Sequence, residues 1–136
     1  MTANAVIFGC EGLSLTDWER KFFADSNPCG FILFARNCES PEQIRALIAD
    51  LRETIGRSSA PVLIDQEGGR VARLRPPHWR RWQPVLRLFD GADEVKALEA
   101  TRLRYRIIAG ELVAVGIDVD CEDAAGFRHG CTLNRA

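Results

Sequence analysis

Apolar residues fall along this chain in two alternating patterns: short continuous runs, and longer stretches in which they recur every three or four positions. Ala5 to Phe8 is a β-favouring run ended by Gly9, which predicts a buried first strand. Thr16-Asp17-Trp18-Glu19 has capping-box spacing, in which the Thr hydroxyl and the Glu carboxylate each satisfy a free backbone donor, so a short helix to about Asp25 should follow. Gly30 to Phe34 is apolar after its glycine, as expected of a parallel strand covered by helices on both faces. Ser40-Pro41-Glu42-Gln43 supplies an N-cap, a proline at the first helical position and acidic or amide groups in the first turn. Ile44, Leu47, Ile48, Leu51 and Ile55 follow as one helical stripe. Pro61 to Ile64 is a third run and ends in Asp65. A long amphipathic helix is expected between Ala92 and Val115, ended by Gly116, and Ile117 to Val119 opens a fourth strand.

Strands alternating with helices imply right-handed β-α-β crossovers and a parallel sheet, either doubly wound or closed into a barrel. Cys121 to Ala136 shows neither strand alternation nor a helical stripe. An ordinary polar tail and a chain that has left its native reading frame both account for that stretch.

With 136 residues and 46% apolar content, the chain is the size of one ordinary domain with enough apolar mass for a core. Eighteen Lys and Arg against 19 Asp and Glu leave a net charge of −1, which provides no general drive toward nucleic acid or an anionic membrane. Five cysteines, none in a C-x-x-C pair, suggest neither a disulfide framework nor a zinc ribbon, and a reducing cytoplasm fits them best. The first ten residues lack a basic segment of the signal-peptide kind, and no run approaches the roughly 20 apolar residues of a membrane helix.

Candidate chemistry gathers after the third run. Asp65 lies where a strand ends and a Gly-containing loop begins, the position at which parallel α/β folds bind ligands. Its carboxylate could accept hydrogen bonds from two neighbouring sugar hydroxyls, or could cap the loop by accepting the N–H of Gly68 or Gly69. The two glycines permit a tight turn beside a ligand. Arg70, Arg73 and Arg75 cannot all converge on one point; one could reach the site while the others stay solvated. Pro76 to Trp82 mixes cations with aromatics, which suits base stacking and phosphate contact but equally a proline-stiffened loop whose tryptophans pack back on the domain. Asp65 and Glu67 have the chemistry of magnesium ligands but lack a third acidic partner nearby.

GFILFARN (Gly30 to Asn37), SPEQIRALIADLR (Ser40 to Arg52), VLIDQEGGRVARL (Val62 to Leu74) and ELVAVGIDVD (Glu111 to Asp120) together resemble, in order, spacing and wording, the opening of glycoside hydrolase family 3 β-N-acetylhexosaminidases. The resemblance implies a (β/α)8 TIM barrel, of which residues 1–120 would supply about the first four strands and 121–136 a patternless tail. It implies cleavage of terminal β-linked N-acetylglucosamine, in bacterial cytoplasmic members during cell-wall recycling, with a muropeptide-like sugar as partner, no cofactor, no nucleic acid and no membrane. In such enzymes the Asp of D-Q-E-G-G bonds sugar hydroxyls and the Arg that follows Val-Ala also contacts substrate; here these are Asp65 and Arg73. The family mechanism is retaining, with an Asp nucleophile and a His assisted by an Asp as acid and base. Neither His78 nor His129 has the family's surroundings for that role, so no catalytic residue is assigned. From Glu122 onward the sequence departs from the family's continuation, which favours a frameshift or truncation. A barrel of about 250 residues cut to half would expose a strand edge, so an inactive fragment prone to self-association is expected.

Overall fold

The computed structural model describes residues 2–121 and, as backbone, 132–133. Strand β1 (Asn4–Phe8) leads through α1 (Asp17–Ser26) to β2 (Pro28–Leu33), and α2 (Pro41–Thr54) leads to β3 (Val62–Ile64). A short hairpin follows, β4 (Gln66–Gly68) against β5 (Val71–Ala72), and then α3 (Glu94–Ala114), β6 (Val119–Asp120) and β7 (Thr132–Leu133). Two 3-10 turns, Ala35–Asn37 and Val85–Phe89, lie between these elements.

The helix starts form as their sequences dictate. Glu19 N–H donates to the Thr16 hydroxyl at 3.2 Å and the Glu19 carboxylate accepts Thr16 N–H at 2.9 Å, a complete capping box. At α2, Gln43 N–H donates to the Ser40 hydroxyl at 3.2 Å behind the N-terminal proline. At α3, Lys96 N–H donates to Asp93 at 3.1 Å. The α3 helix stops at Gly116, whose φ of +90° is a backbone conformation that favours glycine.

The main sheet runs β1-β2-β3-β6-β7, parallel through β6, with β7 antiparallel to β6. In register, Phe31 pairs with Val62 and Leu33 with Ile64, so these four side chains share one sheet face. That face and the helices make a single core: Phe31, Leu33, Val62 and Ile64 cluster with Phe23 of α1, the Ile44, Leu47, Ile48 and Leu51 stripe of α2, and Ile108 and Leu112 of α3. Residues of the opposite parity are outside it; Ile7 is 43% exposed and Ile32 half-buried. The expectation that helices cover both faces of the second strand is therefore corrected. Its unbroken apolar run has one face in the helix-covered core and the other facing away from it.

Two further expectations change. The last helix is present, but it is not cleanly amphipathic, since Val95, Leu98, Leu103 and Val113 are exposed while Arg104 is 5% exposed on the core side. Ile117 and Asp118 precede the fourth parallel strand instead of opening it, although Asp118 still ties the sheet end by accepting Val62 N–H and an Arg52 N–H, each at 2.8 Å. Residues 122–131 and 134–136, His129 among them, lie outside the described residues, and so does most of the stretch expected as a patternless tail; within it Thr132–Leu133 pair with β6.

Candidate functional site at the carboxyl ends of the strands

The loops that leave β1, β2 and β3 meet at one end of the sheet, and buried polar side chains fasten them together. Asn37, fully buried, accepts Phe34 N–H at 2.9 Å and donates to the carbonyls of Cys10 at 3.1 Å and Gly12 at 2.8 Å, joining the first two loops. Glu19, 4% exposed, accepts Glu11 N–H at 2.7 Å as well as its capping partners. Burial would raise the Glu19 pKa, but the N–H groups of Thr16 and Glu11, the Thr16 hydroxyl and the Arg36 charge together hold it below the ordinary carboxylate value.

Asp65 follows directly on β3. Its Oδ2 accepts an N–H of Arg73 at 2.9 Å, and both side chains keep 24% of their surface open to solvent. Arg73 is brought back to Asp65 by Gln66, whose 1% exposed side chain holds the far strand of the hairpin. Gln66 Oε1 accepts the N–H groups of Arg73 at 2.8 Å and Leu74 at 3.0 Å, while its Nε2 donates to the Leu74 carbonyl at 2.9 Å. Gln66 N–H in turn donates to the Asp120 carboxylate at the end of β6, at 2.9 Å. Gln66 thus ties the carboxylate–guanidinium pair to the returning segment through its amide side chain and to β6 through its backbone N–H. The Phe34 ring lies 5.9 Å from the Arg73 guanidinium and 4.8 Å from that of Arg36, so an aromatic face borders the pair.

The sequence-predicted residues separate here. Asp65 does not cap the loop: Gly69 N–H donates to the Trp82 carbonyl at 2.8 Å instead. The glycines make room for protein. Gly68 has φ of +93°, and a Cβ there would stand 2.2 Å from an Arg104 nitrogen and 2.8 Å from the Gln83 carbonyl oxygen. Arg104 fills that space, donating to the carbonyls of Gln83 at 2.6 Å and Glu67 at 2.5 Å. Trp79 is buried in the core, and Trp82 packs against it while its indole N–H donates to Glu111 at 3.3 Å. Both rings are occupied by packing. Among the described residues no group of three His, Cys, Asp or Glu side chains could hold a metal ion, and Asp65 faces Arg73, not Glu67. Gln66, Asn37, Arg104 and Asp120 escaped the sequence reading. A polar residue inside an otherwise apolar strand end is a faint signal for Gln66, and nothing local marks the others.

The architecture is that of a parallel α/β protein whose polar site sits beyond the carboxyl ends of its strands. No family model matches the chain. A β-hexosaminidase from Aromatoleum aromaticum is 36% identical over 131 residues, covering 93% of this chain and 36% of that protein. One from Pseudomonas aeruginosa is 38% identical over 118 residues, 87% of this chain and 34% of that protein. Among solved structures, NagZ from Neisseria gonorrhoeae in complex with N-trifluoroacetyl-D-glucosamine aligns with a TM-score of 0.77 at 30% identity, covering 88% of this chain and 35% of that one. A glycoside hydrolase family 3 β-N-acetylglucosaminidase from Paenibacillus aligns with a TM-score of 0.68 at 32% identity, covering 82% and 21%. Over the matched span the chain is similar to the β-hexosaminidases and to a family 3 β-N-acetylglucosaminidase, and it spans about a third of the length of the curated relatives. Among the described residues no helix is long and apolar enough to cross a membrane.

Proposed function

We propose that the chain carries one wall of the sugar site of a family 3 β-N-acetylhexosaminidase, in which Asp65 and Arg73 hold the hydroxyls of a terminal β-linked N-acetylglucosamine. The observation that supports this reading is the pair itself: a carboxylate at the end of β3 and a guanidinium folded back onto it at 2.9 Å, both still open to solvent. An ionised carboxylate and a guanidinium fork offer charge-assisted hydrogen bonds to adjacent hydroxyls, stronger than those of neutral groups. The Gln66 staple holds them in place before any ligand arrives, which lowers the ordering cost of binding.

The parallel order β1-β2-β3-β6 is sequential, and α1, α2 and α3 share their core with one sheet face. A doubly wound sheet reverses its strand order and places helices on both faces. Sequential order with helices on one side is the pattern of a (β/α)8 wall, and it favours the barrel over a small doubly wound module for a phosphorylated or metal-bound ligand. Residues 1–120 then supply the opening part of such a barrel, and its muropeptide-like substrate, cell-wall recycling role and cytoplasmic location follow from the kinship as parts of the same proposal. No described residue takes the place of the nucleophile or the His–Asp acid–base pair, so the chain alone should bind sugar without cleaving it.

The test is a titration of the purified chain with N-acetylglucosamine, followed by NMR chemical-shift changes, beside an assay with a chromogenic N-acetyl-β-glucosaminide. Saturable shifts that weaken at least tenfold in Asp65→Asn and Arg73→Ala, with no chromophore release, are expected. Tenfold corresponds to about 1.4 kcal/mol, within reach of one lost charged hydrogen bond. Unchanged binding in both variants would remove the site assignment, and turnover abolished by Asp65→Asn would show that acid–base and nucleophilic groups are present after all.

A further inference from the structure

The segment that follows β5 returns along the hairpin and encloses a cleft of about 640 Å³, within the ordinary size range of small-molecule sites. Among the described residues four arginines line it, Arg70, Arg75, Arg80 and Arg81, and no Asp or Glu does. Leu74 and Trp82 contribute to its wall. The cleft lies against the segment whose Arg73 reaches Asp65, but neither of those two residues is in its lining.

Two of the four guanidiniums have structural partners. Arg75 donates to the Ala72 carbonyl at 2.7 Å, and Arg80 pairs with Glu111 at 3.4 Å. Arg70 and Arg81 make no ion pair or hydrogen bond among the described residues, and both are exposed. The structural work of this loop is done elsewhere, by Arg104 on the carbonyls of Gln83 and Glu67, by Gly69 N–H on Trp82, and by the buried Trp79. The cleft is therefore shaped without Arg70 and Arg81, while these two add like charge to a wall already holding two cations. Like charges gathered in a concave site raise its positive potential and are offset when an anion enters. On a chain of net charge −1, such a concentration is local and not a reflection of overall composition.

We propose that this cleft is a second binding site, separate from the sugar pair, for a compact multivalent oxyanion carried on a small molecule. Guanidinium forks bond the oxygens of phosphates or carboxylates in pairs, and Arg70 and Arg81 supply the two free forks. The apolar part of the lining that reaches the surface, at Pro76 and the half-buried edge of Trp82, accommodates the body that bears the charge. The assignment does not depend on the sugar reading, since it uses none of its residues.

Isothermal titration calorimetry of the purified chain with pyrophosphate and, separately, with citrate tests it and tells phosphate from carboxylate chemistry. Binding of at least one probe with one-to-one stoichiometry is expected, weakening as sodium chloride rises. The double variant Arg70→Gln, Arg81→Gln should lose at least tenfold in affinity. Arg45→Gln, which removes an exposed arginine on α2 outside the cleft, should bind like the parent. Both altered cleft arginines are exposed and bonded to nothing else described, so thermal unfolding of the double variant should match the parent and separate lost binding from lost fold. Absence of binding by both probes, equal affinity in the double variant, or an equal loss in Arg45→Gln would each overturn the proposal.

Discussion

Three buried polar side chains, Glu19, Asn37 and Gln66, organise the strand-end loops because each finds several backbone partners away from water. Removing one leaves donors orphaned in an apolar setting, which costs more than the bond itself contributes. Glu19→Ala should lower stability by about 1–3 kcal/mol, on the scale of a lost cap plus a buried unsatisfied N–H, and denaturant unfolding would measure it. Glu19→Gln should lose less. Because the folded-state pKa of Glu19 is depressed, its stabilisation is present above the unfolded-state value and lost as pH falls through the folded one. The fall in stability on acidification should therefore be shallower in Glu19→Gln than in the parent. The opposite sign applies to two thiols: burial pushes Cys10 up to about 11, with the Glu19 charge adding, and Cys38 up to about 12, with Cys10 adding. Their neutral forms are favoured in the fold, so stability should decline once pH passes the ordinary thiol value of 9.0 and the unfolded chain begins to ionise. Alkylation by iodoacetamide at pH 8 should be slow at Cys10, which is 3% exposed, and faster after unfolding.

At the scale of elements, β1, α1, β2, α2 and β3 follow from local pattern, since caps and apolar spacing act within a few residues and point the same way. The β4–β5 hairpin does not. Gln66-Glu67-Gly68-Gly69-Arg70-Val71-Ala72 has no alternation, and its pairing depends on the Gln66 side chain, on Trp82 and on Arg104, which are 16 and 38 positions from Gln66. Arg104 itself reads as one more solvated helix position until α3 lies across the loop. Gly68→Ala tests this dependence. It combines φ of +93° with a 2.2 Å clash against Arg104, whereas Gly91, at φ of +68°, has nothing within 4 Å. Gly91→Ala should cost about 1 kcal/mol for backbone strain alone, and Gly68→Ala clearly more, about 2–4 kcal/mol. Near-equal midpoints in denaturant would show that the hairpin does not rest on Arg104.

For the whole molecule, the sequential parallel sheet leaves two surfaces without partners among the described residues. One is at the edge strand β1, where Ile7 is 43% exposed, and the other is the outer side of α3, where Val95 is 72% and Val113 56% exposed. Exposed apolar surface of this kind drives association when concentration allows. Under the barrel proposal, sedimentation velocity should show a mean mass that rises with concentration, and Val95→Lys with Leu98→Glu should reduce the rise. A monomer at all concentrations would contradict that expectation.

The sequence by itself determined the alternation of strands and helices, two helix starts and the motif that carries the kinship, because these depend on contacts within one or two turns or on the wording of a single segment. It placed Asp65 at a strand end, and it named Arg73 through resemblance alone. Only the tertiary structure decided that one sheet face joins the helices, that Gln66 folds Arg73 back onto Asp65, and that the glycines admit Arg104. These depend on side chains meeting across tens of residues, where a buried amide or guanidinium is stable only once distant backbone groups have been brought within hydrogen-bond reach.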